Sequence, residues 1–203
     1  MSNRVLLVTG FGPFPGVPRN PAERTARAIA ADGGLRRIGL TTHCAIFHTS
    51  YAALEGEAGP LLAQVQPAAI LMIGVASRRR HLSVELNARN RRALLFPDAA
   101  GQRSARLAIN PSMAFLSKGR APFAACLRAG HAAGLDTRLS TSAGTYLCNY
   151  SYWLMLEATD ARIPCLFLHI PKLRGPWHFQ RLVRAGVAMA RLLVQDARWR
   201  SNR

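Results

Sequence analysis

Residues 68–74, Ala-Ala-Ile-Leu-Met-Ile-Gly, carry no polar side chain. A run so short and so apolar reads as a central strand covered on both faces, and such strands belong to parallel sheets flanked by helices. The rest of the chain agrees. Residues 4–9 read as a buried strand. Asn20-Pro21-Ala22-Glu23 reads as a helix start, with Asn as cap, Pro at the first helical position and Glu closing a capping box. That helix is expected to run to about Ala31 and stop near Gly33-Gly34. A strand over residues 37–47 and a helix over 51–66, stopped by Pro67, follow. Beyond the central run come a strand over 82–89, a loop-rich stretch over 96–113, a helix over 122–133 and a strand over 136–141. A helix over 147–158, a strand over 165–169 and a final helix over 178–198 complete the chain. Helices alternating with short apolar strands define an α/β class with a largely parallel sheet.

At 203 residues, with 49% apolar content and no repeat or linker, one domain with one sizeable core is expected over 1–203. No apolar run approaches the roughly 20 residues of a membrane span. Residues 1–10 hold only a brief apolar stretch that runs into structured-looking sequence. They read as a first strand and the protein as cytoplasmic. Cys44, Cys126, Cys148 and Cys165 lie far apart with no CxxC pair, which argues against a zinc site and a disulfide framework.

The formal net charge is +17, from 27 Lys+Arg against 10 Asp+Glu. The arginines are spread along the chain, and no aromatic-interleaved basic segment appears. A basic solvated surface is expected, with polyanion binding at low salt as a by-product and no specific nucleic-acid partner.

Three distant segments carry chemistry. In Ser142-Ala143-Gly144-Thr145-Tyr146-Leu147-Cys148-Asn149 a cysteine sits where a strand hands over to a helix. A helix N-terminus favours thiolate, and its free N–H groups can stabilise an oxyanion. In Leu168-His169-Ile170-Pro171 a histidine ends an apolar strand, where α/β sheets place reactive groups. Glu85, between Val84 and Leu86, is a carboxylate on an apolar strand, and such a group needs a partner. Thiol, base and orienting acid are the parts of acyl transfer through sulfur. Each has a structural alternative: a buried thiol, a strand-end histidine, a carboxylate paired with an arginine.

Together these segments resemble the type I pyroglutamyl peptidase (pyrrolidone-carboxylate peptidase) family. Thr9-Gly10-Phe11-Gly12-Pro13-Phe14 with Asn20-Pro21 is similar to its first loop and helix start. Val84-Glu85, Asn90 and Pro97-Asp98 resemble its glutamate segment. Ala143 to Asn149 resembles its nucleophile segment, and Leu168 to Pro171 its histidine segment. The order Glu, Cys, His is the family's, and the likeness runs from Val5 to about Pro171.

The resemblance implies a three-layer α/β/α sandwich with a mostly parallel, mixed central sheet. It implies a cysteine-type omega peptidase that removes N-terminal pyroglutamate from peptides through a thioester. Cys148 would attack, His169 serve as base and then acid, and Glu85 orient it. Phe11, Phe14, Phe96, Tyr146 and Leu147 would line the lactam pocket. No metal or organic cofactor is implied, and a homo-oligomer, dimer or tetramer, is expected. The chain departs from the family pattern at Val75, for a glutamine, and at Leu86 and Leu95, each for an arginine. Phe96 stands for an isoleucine, and Ser77-Arg78 for Gly-Gly-Arg with only the arginine kept. Two rivals stay open: a thiol amidohydrolase of the same fold with another small acyl specificity, and a non-catalytic polyanion binder.

Overall fold

The computed structural model describes residues 4–14 and 16–201, with the side chains of residues 200 and 201 outside the description. Met1 to Asn3 of the first-strand segment, and Pro15 of the first loop, lie outside the described residues. In chain order the elements are β1 (Val5–Phe11), α1 (Pro21–Ala30), α2 (Gly33–Arg37), β2 (Thr41–Phe47), α3 (Tyr51–Val65), β3 (Ala69–Val75) and β4 (Leu82–Glu85). Then come β5 (Asn87–Arg89), β6 (Leu116–Lys118), α4 (Phe123–Ala132), β7 (Thr137–Ser140), α5 (Leu147–Ala158), β8 (Cys165–Ile170) and α6 (Pro176–Ser201).

Six strands form one sheet in the order β2-β1-β3-β8-β4-β7. Pairing is parallel throughout except between β8 and β4, which run antiparallel. The all-apolar run is indeed central: β3 lies between β1 and β8, and Ala69 to Ile73 are essentially inaccessible.

The two-residue period of the strands sorts their side chains between two apolar layers. Leu6, Val8, Leu71, Ile73, Leu166 and Leu168 pack against α1, α4 and α6. Leu7, Ile70, Met72 and Phe167 pack against α3 and α5, whose Leu54, Tyr150 and Trp153 complete that side. The result is the mixed three-layer α/β/α sandwich.

Four local expectations change. The first helix ends at Ala30 with Ala31 as its cap, as expected, but Gly33-Gly34 open a new short helix, because the Asp32 carboxylate accepts hydrogen bonds from Gly34 N and Leu35 N. The strand expected from residue 37 therefore starts only at Thr41. The capping box does not close. Asn20 caps α1 by accepting from Ala22 N, but Glu23 pairs instead with Arg27 at 3.0 Å. Finally, residues 82–89 are two strands. At Leu86 the chain leaves the large sheet, and Asn87–Arg89 pair antiparallel with β6 in a separate ribbon.

Candidate active site

Strand alternation decides which side of the sheet the reactive groups share. In β8, Leu166, Leu168 and Ile170 point to the α6 side, so His169 points with Phe167 to the α5 side. In β4, Leu82 and Val84 point to the α6 side, and Glu85 faces the other way. The antiparallel register sets Ser83 opposite His169 and Glu85 opposite Phe167, so Glu85 and His169 are diagonal neighbours. His169 Nδ1 and Glu85 Oε1 lie 2.8 Å apart, with Glu85 fully buried and His169 5% exposed. Cys148 of α5 lies near enough to the imidazole to interact with it. Glu85 and His169, 84 positions apart in sequence, thus meet beside Cys148 in one group, Glu85–His169–Cys148.

Two features seat the sulfur. Cys148 lies in the first turn of α5, whose cap residue Tyr146 makes no side-chain hydrogen bond to the helix. The first-turn N–H groups are therefore open to a ligand. Below the sulfur, Gly74 of β3 lies opposite His169 in the register. A Cβ there would sit 2.9 Å from Cys148 Sγ and 2.7 Å from the Phe167 ring. The glycine is the space the thiol occupies.

Electrostatics follow from burial and partners. Burial by itself would lower the His169 pKa. The hydrogen bonds and charges of Cys148 and Glu85 outweigh it and raise it to about 9. Burial would likewise raise the Glu85 pKa, but His169, Ser140 and Arg79 hold it below the ordinary carboxylate value.

Arg79 is the residue that sequence reading missed. Its guanidinium pairs with Glu85 Oε1 at 2.6 Å, donates to Ser142 O at 2.9 Å and so ties the acid to the turn that carries the nucleophile. Arg78, the arginine matched to the Gly-Gly-Arg pattern, is exposed. Both earlier readings of Glu85 hold, since it faces the histidine and an arginine at once. Asn149 was also passed over. Fully buried, it accepts from Arg89 N and donates to Arg89 O and Arg91 O, which pins the β5 segment to α5 one residue beyond the thiol. A buried asparagine next to a cysteine was the available signal.

Beside Cys148 opens a cavity of about 410 Å³ walled by Phe11, Phe14, Val17, Tyr146 and Leu147. Asn20 and Thr49 also line it, but both spend their polar groups on the loop backbone: Asn20 Nδ2 donates to Gly12 O, and Thr49 donates to the same oxygen. Val75 lines the cavity; Leu95 and Phe96 do not. Phe96 is 64% exposed and lines a separate groove with Leu95, Leu107 and Thr145. The reason is local. Tyr146 donates its phenol to Pro97 O, and buried Asp98 accepts from Tyr51, Ala100 and Gln102 N–H groups, which turns residues 94–96 outward. Among the described residues, no cluster of three His, Cys, Asp or Glu side chains could hold a metal.

A doubly wound α/β sheet with a thiol at a helix N-terminus, backed by an imidazole and a carboxylate, defines a cysteine-type hydrolase. Comparison with known proteins narrows the class. Residues 4–177 match the family model described as pyroglutamyl peptidase. The chain is 31% identical over 171 residues to pyrrolidone-carboxylate peptidase 1 of Streptococcus pneumoniae serotype 4, covering 82% of this chain and 77% of the relative. It is 31% identical over 172 residues to that of Deinococcus radiodurans, with the same coverage. Among solved structures, pyrrolidone carboxyl peptidase from Thermus thermophilus superposes with a TM-score of 0.77 at 29% identity, covering 91% of this chain and 99% of that one. A mutant of the Pyrococcus furiosus enzyme shares the fold with a TM-score of 0.84 at 22% identity, covering 95% and 99%. The chain belongs to the pyroglutamyl peptidase family.

Proposed function

We propose that Cys148, His169 and Glu85 carry out the reaction for which the family is named, the release of N-terminal pyroglutamate from peptides. The sulfur of Cys148 adds to the pyroglutamyl carbonyl carbon, and the first-turn N–H groups of α5 receive the developing oxyanion. His169 gives its proton to the departing amine as the C–N bond breaks, which leaves a thioester. Water then adds to the thioester carbon and yields a proton to His169. The C–S bond breaks, pyroglutamate leaves, and the imidazolium–thiolate pair is restored. Glu85 holds the imidazole by its Nδ1 throughout.

What supports this reading is the contact chain from Glu85 through His169 to Cys148 at the edge of a cavity walled by aromatic and aliphatic side chains. Phe11, Phe14, Tyr146 and Leu147 would take the flat faces of the lactam ring, while its amide edge would meet loop backbone. Phe96 has no part in that wall. A homo-oligomer and a cytoplasmic setting belong to the same reading. Four free cysteines suit a reducing compartment, and exposed Leu95, Phe96 and Phe115 suit a second copy of the chain. Among the described residues no helix is long and apolar enough to cross a membrane.

The test is hydrolysis of a pyroglutamyl aminomethylcoumarin amide by the purified protein. Turnover should disappear on thiol alkylation and in Cys148→Ser, and fall by orders of magnitude in His169→Ala while the fold persists. Full activity after complete modification of Cys148 would overturn the mechanism.

A further inference from the structure

The cavity beside Cys148 is larger than a five-membered lactam fills, so part of it is left for the peptide that departs. Its charged lining is one-sided. Arg19 and Lys172 both contribute to it, and none of the ten carboxylates of the chain does. Arg19 sits in the first loop, directly before the Asn20 cap of α1. Lys172 is three residues beyond His169, where β8 has ended. Both are exposed. Among the described residues neither takes part in an ion pair, although the few acids of this chain are otherwise heavily engaged. Glu23 holds Arg27, Glu55 holds Arg92, Glu57 meets His48, and Glu85 and Asp98 are buried in networks of their own. Two cations of unmet charge thus face one opening, on a protein of net charge +17.

The charge of the pair assigns it to the leaving group. The pyroglutamyl residue has no charge, and the rings of Phe11, Phe14 and Tyr146 suit that neutrality. A peptide beyond the scissile bond does carry charge, and a low-dielectric cavity wall strengthens the attraction to a carboxylate at its mouth. We infer that Arg19 and Lys172 make this enzyme selective for pyroglutamyl peptides that bear a carboxylate just beyond the scissile bond. The carboxylate is either the free C-terminus of a pyroglutamyl dipeptide or the acidic side chain of the second residue. The inference rests on the activity proposed above and adds the class of peptide it takes.

Each exposed ion pair is worth a factor of about 1.5–5, so the two cations should together favour an acidic substrate about two- to twenty-five-fold. The experiment compares kcat/KM of the full-length enzyme on pyroglutamyl-alanine and its C-terminal amide. The second comparison is pyroglutamyl-glutamate amide against pyroglutamyl-glutamine amide. Preference for the free acid in the first pair assigns the α-carboxylate, and preference for the glutamate in the second assigns the side chain. Either preference should lie mainly in KM, shrink toward unity as salt is raised, fall to about unity in Lys172→Glu or Arg19→Glu, and invert in the double reversal. The acid-to-amide ratio is the readout, because a merely structural role would lower both members of a pair together.

Equal rates within both pairs for an enzyme that hydrolyses all four substrates would overturn the inference and leave the peptidase activity standing. A preference that both charge reversals leave unchanged would overturn it equally. No hydrolysis of any pyroglutamyl compound would overturn the underlying activity, and the inference with it.

Discussion

At the scale of single residues, the site depends on what is missing as much as on what is present. Gly74 is required because its neighbour across the gap is the Cys148 sulfur. Gly74→Ala would push a methyl to within 2.9 Å of Cys148 Sγ and against the packed Phe167 ring. We expect a loss of about 1–3 kcal/mol of stability from overpacking and at least a tenfold fall in kcat/KM, checked by urea unfolding and coumarin-amide hydrolysis. Titration of His169 makes the second prediction. With a pKa raised to about 9, it keeps the proton that the leaving amine needs, so kcat/KM should decline as pH rises through about 9. Glu85 is one of the groups that hold the proton there. In Glu85→Gln the alkaline limb should therefore move to lower pH, and a profile unchanged from wild type would show that Glu85 is only an ion-pair partner of Arg79.

At the scale of elements, the junction of α5 with the β4–β5 segment carries the geometry. Leu86 takes the chain out of the large sheet, and Asn149 then catches it with three hydrogen bonds to backbone. Asn149→Ala would leave buried N–H and C=O groups without partners and should cost about 2–3 kcal/mol, read by chemical denaturation. Because the same segment follows Glu85 directly, activity should fall further than stability alone predicts. This junction was illegible in the sequence. Residues 82–89 alternate without interruption, and nothing local marks that Glu85 ends one sheet while Asn87 begins another. Only the Leu86 N–H reaching Ser140 O and the Gly119 N–H reaching Leu86 O define the break. The helices were far more legible, since Asn20 before the first and Pro67 after the 51–66 helix mark their ends by local chemistry.

At the scale of the whole molecule, folding brings charge and exposed apolar surface together. His169 gains protons' worth of stability from its partners that is complete below its ordinary value near 6.5 and lost as pH rises through about 9. The Glu85 contribution runs the other way: present above the ordinary carboxylate value and lost as pH falls through its lowered one. Melting temperature should therefore drop between pH 6.5 and 9 in wild type and less so in His169→Asn, measured by differential scanning fluorimetry. On the surface, Leu95 is 78% exposed and Phe115 60%. If a second copy covers them, Leu95→Asp with Phe115→Asp should lower the molar mass seen by light scattering, whereas an unchanged mass would place any interface elsewhere.

The sequence by itself determined the class of fold, the strand that forms its centre and the three candidate residues Glu85, Cys148 and His169. These are carried by local signals: runs of apolar side chains, helix caps, and polar residues stranded in apolar strands. Tertiary structure alone decided that Arg79 joins Glu85, that Gly74 yields its place to the thiol, and that Phe96 turns away from the cavity while Val75 lines it. It also set Arg19 and Lys172, 153 positions apart by their numbering, at one opening. Those facts depend on register between strands and on which loop meets which, and such contacts arise only when distant segments share one packed volume.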